Sequence, residues 1–276
     1  MNLSKYSLIG KNILVTGGAG LLGEEHARAV LESGANLIIT DIDKIKLDTL
    51  TSNLLHEYSQ SNIASYILDV SQESNIIEVS NKILETQGGV DVLINNAAID
   101  PKVKNDSSLL ESSRLENFQI EDWDMQIKVG LTGAFLCSKI FGSQMAKAKG
   151  GVILNIASDL SVIAPNQSLY YNANLPQNMQ PVKPVTYSVI KAGLIGLTRY
   201  LSTYWTDKKI RCNSLSPGGV FNNQNNNFVE NVSKLIPMGR MANRDEYIST
   251  IQFLCSDASS YLTGQNIVVD GGRSIW

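Results

Sequence analysis

No stretch of this chain is both long and apolar. Its longest hydrophobic runs, such as 12–15 and 152–156, have the length of a strand and fall far short of the roughly 18 residues that cross a bilayer. The first eleven residues lack the apolar centre of a secretory signal, so a cytoplasmic protein is expected. Histidine is almost absent: His26 and His56 both fall on predicted helices and read as helix-surface residues. Cysteine is scarce too. Cys137, Cys212 and Cys255 lie far apart in apolar surroundings with no C-x-x-C spacing, which excludes a disulfide framework and a zinc site and leaves buried free thiols. No metal site is expected. Nor is there an excess of basic charge: 23 Lys and Arg face 26 Asp and Glu, a net charge of −3, so nothing draws the chain to nucleic acid or an anionic membrane.

What is present is an ordinary globular balance, 43% hydrophobic and 18% charged over 276 residues, with no linker-like break and no internal repeat. Strand-like runs at 12–16, 36–41, 63–70, 90–95, 151–158, 210–215 and 266–269 alternate with helical periodicity at 21–33, 45–58, 72–86, 121–147 and 185–206, with two further helices near 227–235 and 244–255. Such β-α-β alternation predicts one α/β domain over 1–276: a doubly wound, Rossmann-type parallel sheet of about seven strands flanked by helices, binding ligands beyond the C-terminal strand ends. Three polar segments interrupt the rhythm, near 100–117, 159–184 and 220–240, and are expected to form lids or inserts. The Asn-rich run 222–227 reads as a loop.

The first strand runs into Thr16-Gly17-Gly18-Ala19-Gly20-Leu21-Leu22-Gly23, which opens the first helix. Glycines there permit a tight turn and close approach of backbone to a pyrophosphate, and the helix N-terminus offers free N–H groups. Asp41, eighteen positions past Gly23, ends the next strand, followed by Ile42. A carboxylate at that point accepts hydrogen bonds from both adenosine ribose hydroxyls and repels a 2′-phosphate, so NAD is favoured over NADP. The competing reading is that Asp41 simply caps the following helix.

Tyr187 and Lys191 stand at i and i+4 on one predicted helix face. A fixed ammonium beside a phenol stabilises the phenolate, letting the tyrosine exchange a proton with an alcohol near neutral pH. Ser158, at the end of the fifth predicted strand, can hold the substrate oxygen. Alone, a Tyr-x-x-x-Lys pair is common by chance.

The ordered set of motifs removes that ambiguity. The glycine turn, Asp69-Val70, Asn95-Asn96-Ala97-Ala98, Asn155-Ile156-Ala157-Ser158, Tyr187-x-x-x-Lys191, Asn213 with Pro217-Gly218-Gly219-Val220, and Thr263-Gly264-Gln265 with Val269-Asp270-Gly271-Gly272 together resemble the short-chain dehydrogenase/reductase family over nearly the whole chain. The resemblance implies that Asp69 and Val70 hold adenine and that Asn96, Ala97 and Ala98 line the ribose. It makes Tyr187 the acid/base, Lys191 the nicotinamide-ribose ligand and Ser158 the substrate-orienting hydroxyl, with Pro217, Gly218 and Val220 against the carboxamide. It also implies a homotetramer or homodimer through the helices at 121–147 and 185–206.

Departures matter as much. Leu21 stands where the short subgroup usually has glycine, and the spacing of Gly17, Gly20 and Gly23 fits the extended subgroup of epimerases and dehydratases that recycle NAD. Gly130 replaces the family's catalytic asparagine. Its backbone carbonyl is expected to keep the water relay to lysine, although a non-catalytic NAD-binding homologue is the alternative it raises. Ser158 and Tyr187 are 29 positions apart, about twice the family gap, so the insert should cover the substrate pocket. Its polar character points to a hydroxylated, sugar-like small molecule. The stretches 113–118, 129–135, 158–165, 184–187 and 237–241 resemble the flagellin modification protein A branch, which implies a sugar or sugar phosphate of bacterial surface-glycan (nonulosonic acid) synthesis. Arg114, Lys102, Lys104, Lys183 and Arg240 are candidate phosphate contacts, with Lys183 and Arg240 preferred because they flank the lid segments.

Overall fold

The computed structural model describes residues 4–99 and 112–276, so Lys102 and Lys104 lie outside the described residues. Seven parallel strands are drawn from both halves of the chain: β1 (Asn12–Thr16), β2 (Asn36–Asp41), β3 (Ile63–Ile67), β4 (Val92–Asn95), β5 (Gly151–Ile156), β6 (Ile210–Pro217) and β7 (Asn266–Val269). They join one sheet in the order β3-β2-β1-β4-β5-β6-β7. Both faces are covered, which is why the central strands read as aliphatic runs. Alternate residues divide between two cores. Ile13, Val15, Leu37 and Ile39 pack with α1 (Leu21–Glu32), α2 (Lys44–Glu57) and α8 (Ile248–Cys255). Leu14, Ile38, Leu93 and Ile153 pack with α3 (Glu73–Gln87), α5 (Gly133–Lys147) and the middle of α6 (Val185–Tyr204). Cys137, Cys212 and Cys255 are buried and unpaired, their thiols pushed up to about 12 by burial.

Several predicted boundaries shift for identifiable reasons. The helix predicted over 121–147 is three pieces: α4 (Ile120–Ile127), a turn of π-helix at Lys128–Thr132, and α5. The π turn contains Gly130 and closes with the Gly133 N–H bonded to the Lys128 carbonyl. Predicted strand 63–70 stops at Ile67, freeing Asp69 and Val70 to face a cleft, and predicted strand 151–158 stops at Ile156, so that Ser158 caps a short 3-10 turn at Asp159–Ser161. The last predicted helix, 244–255, starts as a 3-10 turn, Arg244–Tyr247, before α8. Within the Asn-rich run, Asn223 takes the left-handed conformation and Asn225 caps α7 (Asn226–Ser233), so the loop predicted over 222–227 gives way to helix at its end.

The described residues of the three interrupting segments touch one another. The Val182 N–H donates to Ser113 Oγ at 3.0 Å and Arg114 donates to the Gln177 carbonyl at 3.3 Å. Leu169 joins Phe228, Val229, Val232, Ile236 and Met241 in a small apolar cluster, and the Tyr170 ring lies 5.7 Å from Phe228. The insert contains only 3-10 turns, as its prolines and missing aliphatic period require.

One sequence expectation is overturned by packing. His26 is fully buried on α1, and neither ring nitrogen has a hydrogen-bond partner. The face of α1 that carries Ala27 and Val30 turns it inward, whereas its residue type suggests the helix surface. Burial first, then the charge of Lys191, lowers its pKa to about 3, so it stays neutral in the folded chain. The unfolded imidazole titrates near its ordinary value of 6.5. As pH falls below that value the unfolded state therefore binds one more proton than the folded state, and stability is lost at up to about 1.4 kcal/mol per pH unit until the folded group itself titrates. We expect His26→Leu to keep or raise stability at pH 8 and to flatten the decline between pH 6 and 4 relative to the parent chain. Urea denaturation at both ends of that range reads the difference, and parallel declines would contradict it.

Candidate active site

Strand order reverses between β1 and β4, which opens a crevice beyond their C-terminal ends. The glycine turn forms one wall. Gly17 adopts φ +60°, and a Cβ there would meet Ala97 Cα at 2.7 Å. A Cβ at Gly23 would meet the Gly17 carbonyl at 2.4 Å, so Gly23 lies beneath the turn and lets α1 approach it. Asn96 holds the turn from the other side, donating to the carbonyls of Thr16 at 3.1 Å and Gly17 at 2.9 Å. Gly20 is the N-cap of α1 and supplies no side-chain cap, leaving the first helical N–H groups facing the crevice.

A cleft of about 580 Å³ runs from this turn to the ends of β2 and β3. Gly17, Gly20, Leu21, Leu22, Asp41, Ile42, Asp69, Val70, Asn96, Ala97 and Ala98 line it, joined by Lys46, Met125, Lys128 and Val129, which the sequence did not single out. Asp41 does not cap α2; Asp43 does, accepting from the Lys46 N–H. Instead one Asp41 oxygen accepts from the Ala19 N–H and the other from the Asp43 N–H, both at 3.0 Å. These bonds fix the carboxylate and leave each oxygen a further lone pair for the cleft. Uncapped helix amides at one end and a fixed carboxylate at the other fit a dinucleotide.

The second half of the site is built where α6 meets β5. Pro184 precedes α6 and suits its start, since its missing N–H has no partner to lose. One turn separates Tyr187 from Lys191. The Lys191 ammonium is buried and donates to the Ile156 carbonyl at 2.8 Å, while sitting 5.8 Å from the centre of the Tyr187 ring. Ser158 follows two residues after Ile156, so the three predicted residues share one corner of the fold. Behind them, Asn95 donates to Ser138 of α5 at 3.0 Å and to Asn155 at 2.9 Å, and Asn155 donates to Thr198 of α6 at 2.8 Å. Pro217, Gly218 and Val220 leave β6 beside this corner. Gly218 is held by the Tyr247 hydroxyl, which donates to its carbonyl at 3.1 Å, and Val220 bridges to Ala242.

Two features of this corner escaped the sequence. The Ser158 hydroxyl donates to Asp159 Oδ1 at 2.9 Å, and Asp159 Oδ2 accepts from Arg273 at 2.9 Å. Both charged side chains are nearly sealed, at 9% and 4% exposure. An acidic residue directly after the candidate serine was the available signal, but its partner lies 114 positions away. The other feature is the space at Gly130: a Cβ there would meet Ile190 Cγ2 at 2.8 Å, so glycine lets Ile190 pack against the π turn. Of the basic candidates, Arg240 is committed to Glu246 through two bonds of 2.6 Å and Arg114 to Glu116. Lys183 stands elsewhere, with its ammonium 3.7 Å over the Tyr187 ring.

Residues 11–174 match the family model for short chain dehydrogenases, and 176–274 match a model described as enoyl-(acyl carrier protein) reductase. The chain is 31% identical to a 3-oxoacyl-[acyl-carrier-protein] reductase of Thermotoga maritima, over 97% of this chain and 99% of the relative. It is 29% identical to an NAD-dependent glycerol dehydrogenase of Listeria innocua, over 98% and 96%. A gluconate 5-dehydrogenase of Burkholderia cenocepacia, solved with NADP and tartrate, superposes with a TM-score of 0.82 at 25% identity over 98% of this chain and 97% of that one.

The Arg273–Asp159 pair carries a stability consequence. Arg273→Met leaves a buried carboxylate without its cation, and unfolding free energy should fall by about 3–5 kcal/mol. Adding Asp159→Asn should recover part of that loss. A loss below about 1 kcal/mol would mean that the pair behaves like an exposed one.

Proposed function

This chain belongs to the short-chain dehydrogenase family, and we propose that it interconverts a secondary alcohol and a ketone on a polyhydroxylated, sugar-like substrate using NAD. It is an oxidoreductase with the seven-stranded parallel sheet of that family. The observation that carries the mechanism is the buried Lys191 ammonium, fixed by the Ile156 carbonyl one helical turn from Tyr187. A positive charge held there favours phenolate, so Tyr187 takes the alcohol proton in one direction and returns it in the other. Bound nicotinamide supplies the hydride acceptor or donor. Lys191 and Asn96 would meet the nicotinamide ribose, Asp69 and Val70 the adenine, and the 217–220 loop the carboxamide.

Ser158 would hold the substrate oxygen. Its hydroxyl hydrogen points to Asp159, but Asp159 also accepts from the Leu160 N–H at 2.8 Å and from Arg273. The serine can therefore rotate toward substrate without stranding the carboxylate. For the proton's onward path we assign the main chain of the π turn at Gly130, because no side chain fits there without moving Ile190.

Asp41 supports NAD over NADP. Lys46 also lines the cleft, yet it is paired with Asp43 at 2.9 Å, which leaves the Asp41 carboxylate to set the sign at the adenosine ribose. The polar 159–184 insert, rich in Asn and Gln, supports a hydroxylated substrate. The relatives agree in kind: the named glycerol and gluconate dehydrogenases act on polyhydroxylated molecules, although a reductase of acyl-carrier-protein substrates is also among them. The stretches that resemble the flagellin modification branch favour a sugar of bacterial surface-glycan synthesis as substrate, and the family resemblance favours a cytoplasmic homotetramer or homodimer.

Screening NADH production over polyols, sugar acids, sugar phosphates and nucleotide sugars tests this reading. Turnover on at least one of them is expected, and Tyr187→Phe should lower kcat/KM by about 10³-fold. A strong preference for apolar alcohols would overturn the substrate class. Replacing the carboxylate, Asp41→Ser, should move the NAD/NADP preference by about tenfold or more toward NADP; an unchanged ratio would remove Asp41 from cofactor choice.

A further inference from the structure

Lys183 lies just before α6, four residues ahead of Tyr187, in a segment whose conformation is tightly set. Pro181 and Pro184 bracket it and fix two backbone φ angles. The Val182 N–H is held by Ser113 Oγ at 3.0 Å and the Lys183 N–H by Gln167 Oε1 at 2.8 Å. From that anchored backbone the ammonium reaches 3.7 Å from the centre of the Tyr187 ring, closer than Lys191 at 5.8 Å. The ring thus has two cations near it, from positions four before and four after it in the chain. A cation over an aromatic face is drawn to the ring's electron density. Deprotonating the phenol spreads negative charge into that ring, so the attraction grows when phenolate forms.

We propose that Lys183 is a second positioning cation for Tyr187, contributed by the insert, which stabilises the phenolate from the ring face in addition to Lys191, one helical turn further along α6. The insert then has a task beyond enclosing substrate: when it is seated, it brings a charge to the acid/base. Other titratable or charged groups among the described residues also bear on this corner. Lys191 lies on α6 itself. The Asp159–Arg273 pair meets this corner through the Ser158 hydroxyl and is internally neutralised. His26, on α1, responds to Lys191 and remains neutral. Lys128, in the π turn, lines the cofactor cleft.

The inference rests on Tyr187 as the acid/base, but its test does not require turnover. Ultraviolet titration of phenolate in the full-length protein, with the Tyr187→Phe titration subtracted, isolates the Tyr187 midpoint. Lys183→Met and Lys183→Gln should each raise that midpoint by about one pH unit. Lys183→Arg, which keeps the charge, should leave it within a few tenths. If the enzyme turns over a polyol, the acidic limb of kcat/KM should move by the same amount in the same variants. An unmoved midpoint in both neutral variants would overturn the proposal. So would a KM rise confined to anionic substrates with no change in the titration, which would make Lys183 a substrate anchor instead. A wild-type protein that oxidises no alcohol, yet shows the shifted phenol, would sink the proposed function and leave this inference standing.

Discussion

The structure of the site depends on where one buried ammonium can find an acceptor. Lys191 is removed from water, and a buried charge is tolerated only when it is hydrogen-bonded. Its acceptor is the main-chain carbonyl of Ile156, the last residue of β5. Because a backbone atom does the holding, the height of α6 over the sheet is set to within a hydrogen bond. Two turns further along the same face, Thr198 accepts from Asn155, the neighbouring residue on β5. Lys191 and Thr198 therefore pin one helix to one strand at two polar points seven residues apart. Everything the helix carries at its start, Tyr187 above all, inherits its position from that pair. The Asn95–Asn155 bond extends the same control to β4, whose end supports the glycine turn through Asn96.

That arrangement explains which parts of the molecule were legible in the amino-acid sequence. Regular pairing and burial leave periodic traces: aliphatic runs for strands covered on both faces, a 3.6-residue period for the helices, and glycines where backbone approaches backbone within about 3 Å of a would-be Cβ. Ser158, Tyr187 and Lys191 stand out as candidates because they belong to an ordered series of motifs, not because each is distinctive alone. The features that escaped all depend on contacts between distant positions. The Asp159–Arg273 pair spans 114 residues, and nothing at either end announces the other. The π turn follows from a glycine whose missing side chain is filled from α6 by Ile190. His26 was misplaced because residue type outweighed the helical phase that turns it inward.

The two ends of the site are built on different principles. At the proposed cofactor end, the groups offered to a ligand are backbone amides at a glycine turn and one carboxylate, and these are fixed by the sheet. At the substrate end, three irregular segments lean on one another through a few hydrogen bonds and the apolar cluster around Phe228 and Met241. Prolines and side-chain-to-backbone bonds replace regular ladders there, as in the two bonds from Gln180 Nε2 to the carbonyls of Asn172 and Leu175. Such a structure can change its lining without disturbing the strands beneath, which is why substrate choice is better sought in the insert than in the sheet.

The charge of Lys191 also adds to what burial does to a second group, His26. Burial and the lysine's charge together keep His26 neutral, its pKa lowered to about 3. The same positive charge that makes phenolate easier to form makes imidazolium harder to form, since one is an opposite charge and the other a like one. Had His26 been protonated, its charge would have competed with Lys191 inside the same poorly hydrated region and raised the cost of keeping the lysine charged. Burying an imidazole with no partner for either nitrogen sacrifices some stability, and because it stays neutral it adds no like charge against Lys191. The polarity of the site is thus decided by which groups the fold permits to ionise, as much as by which groups it contains.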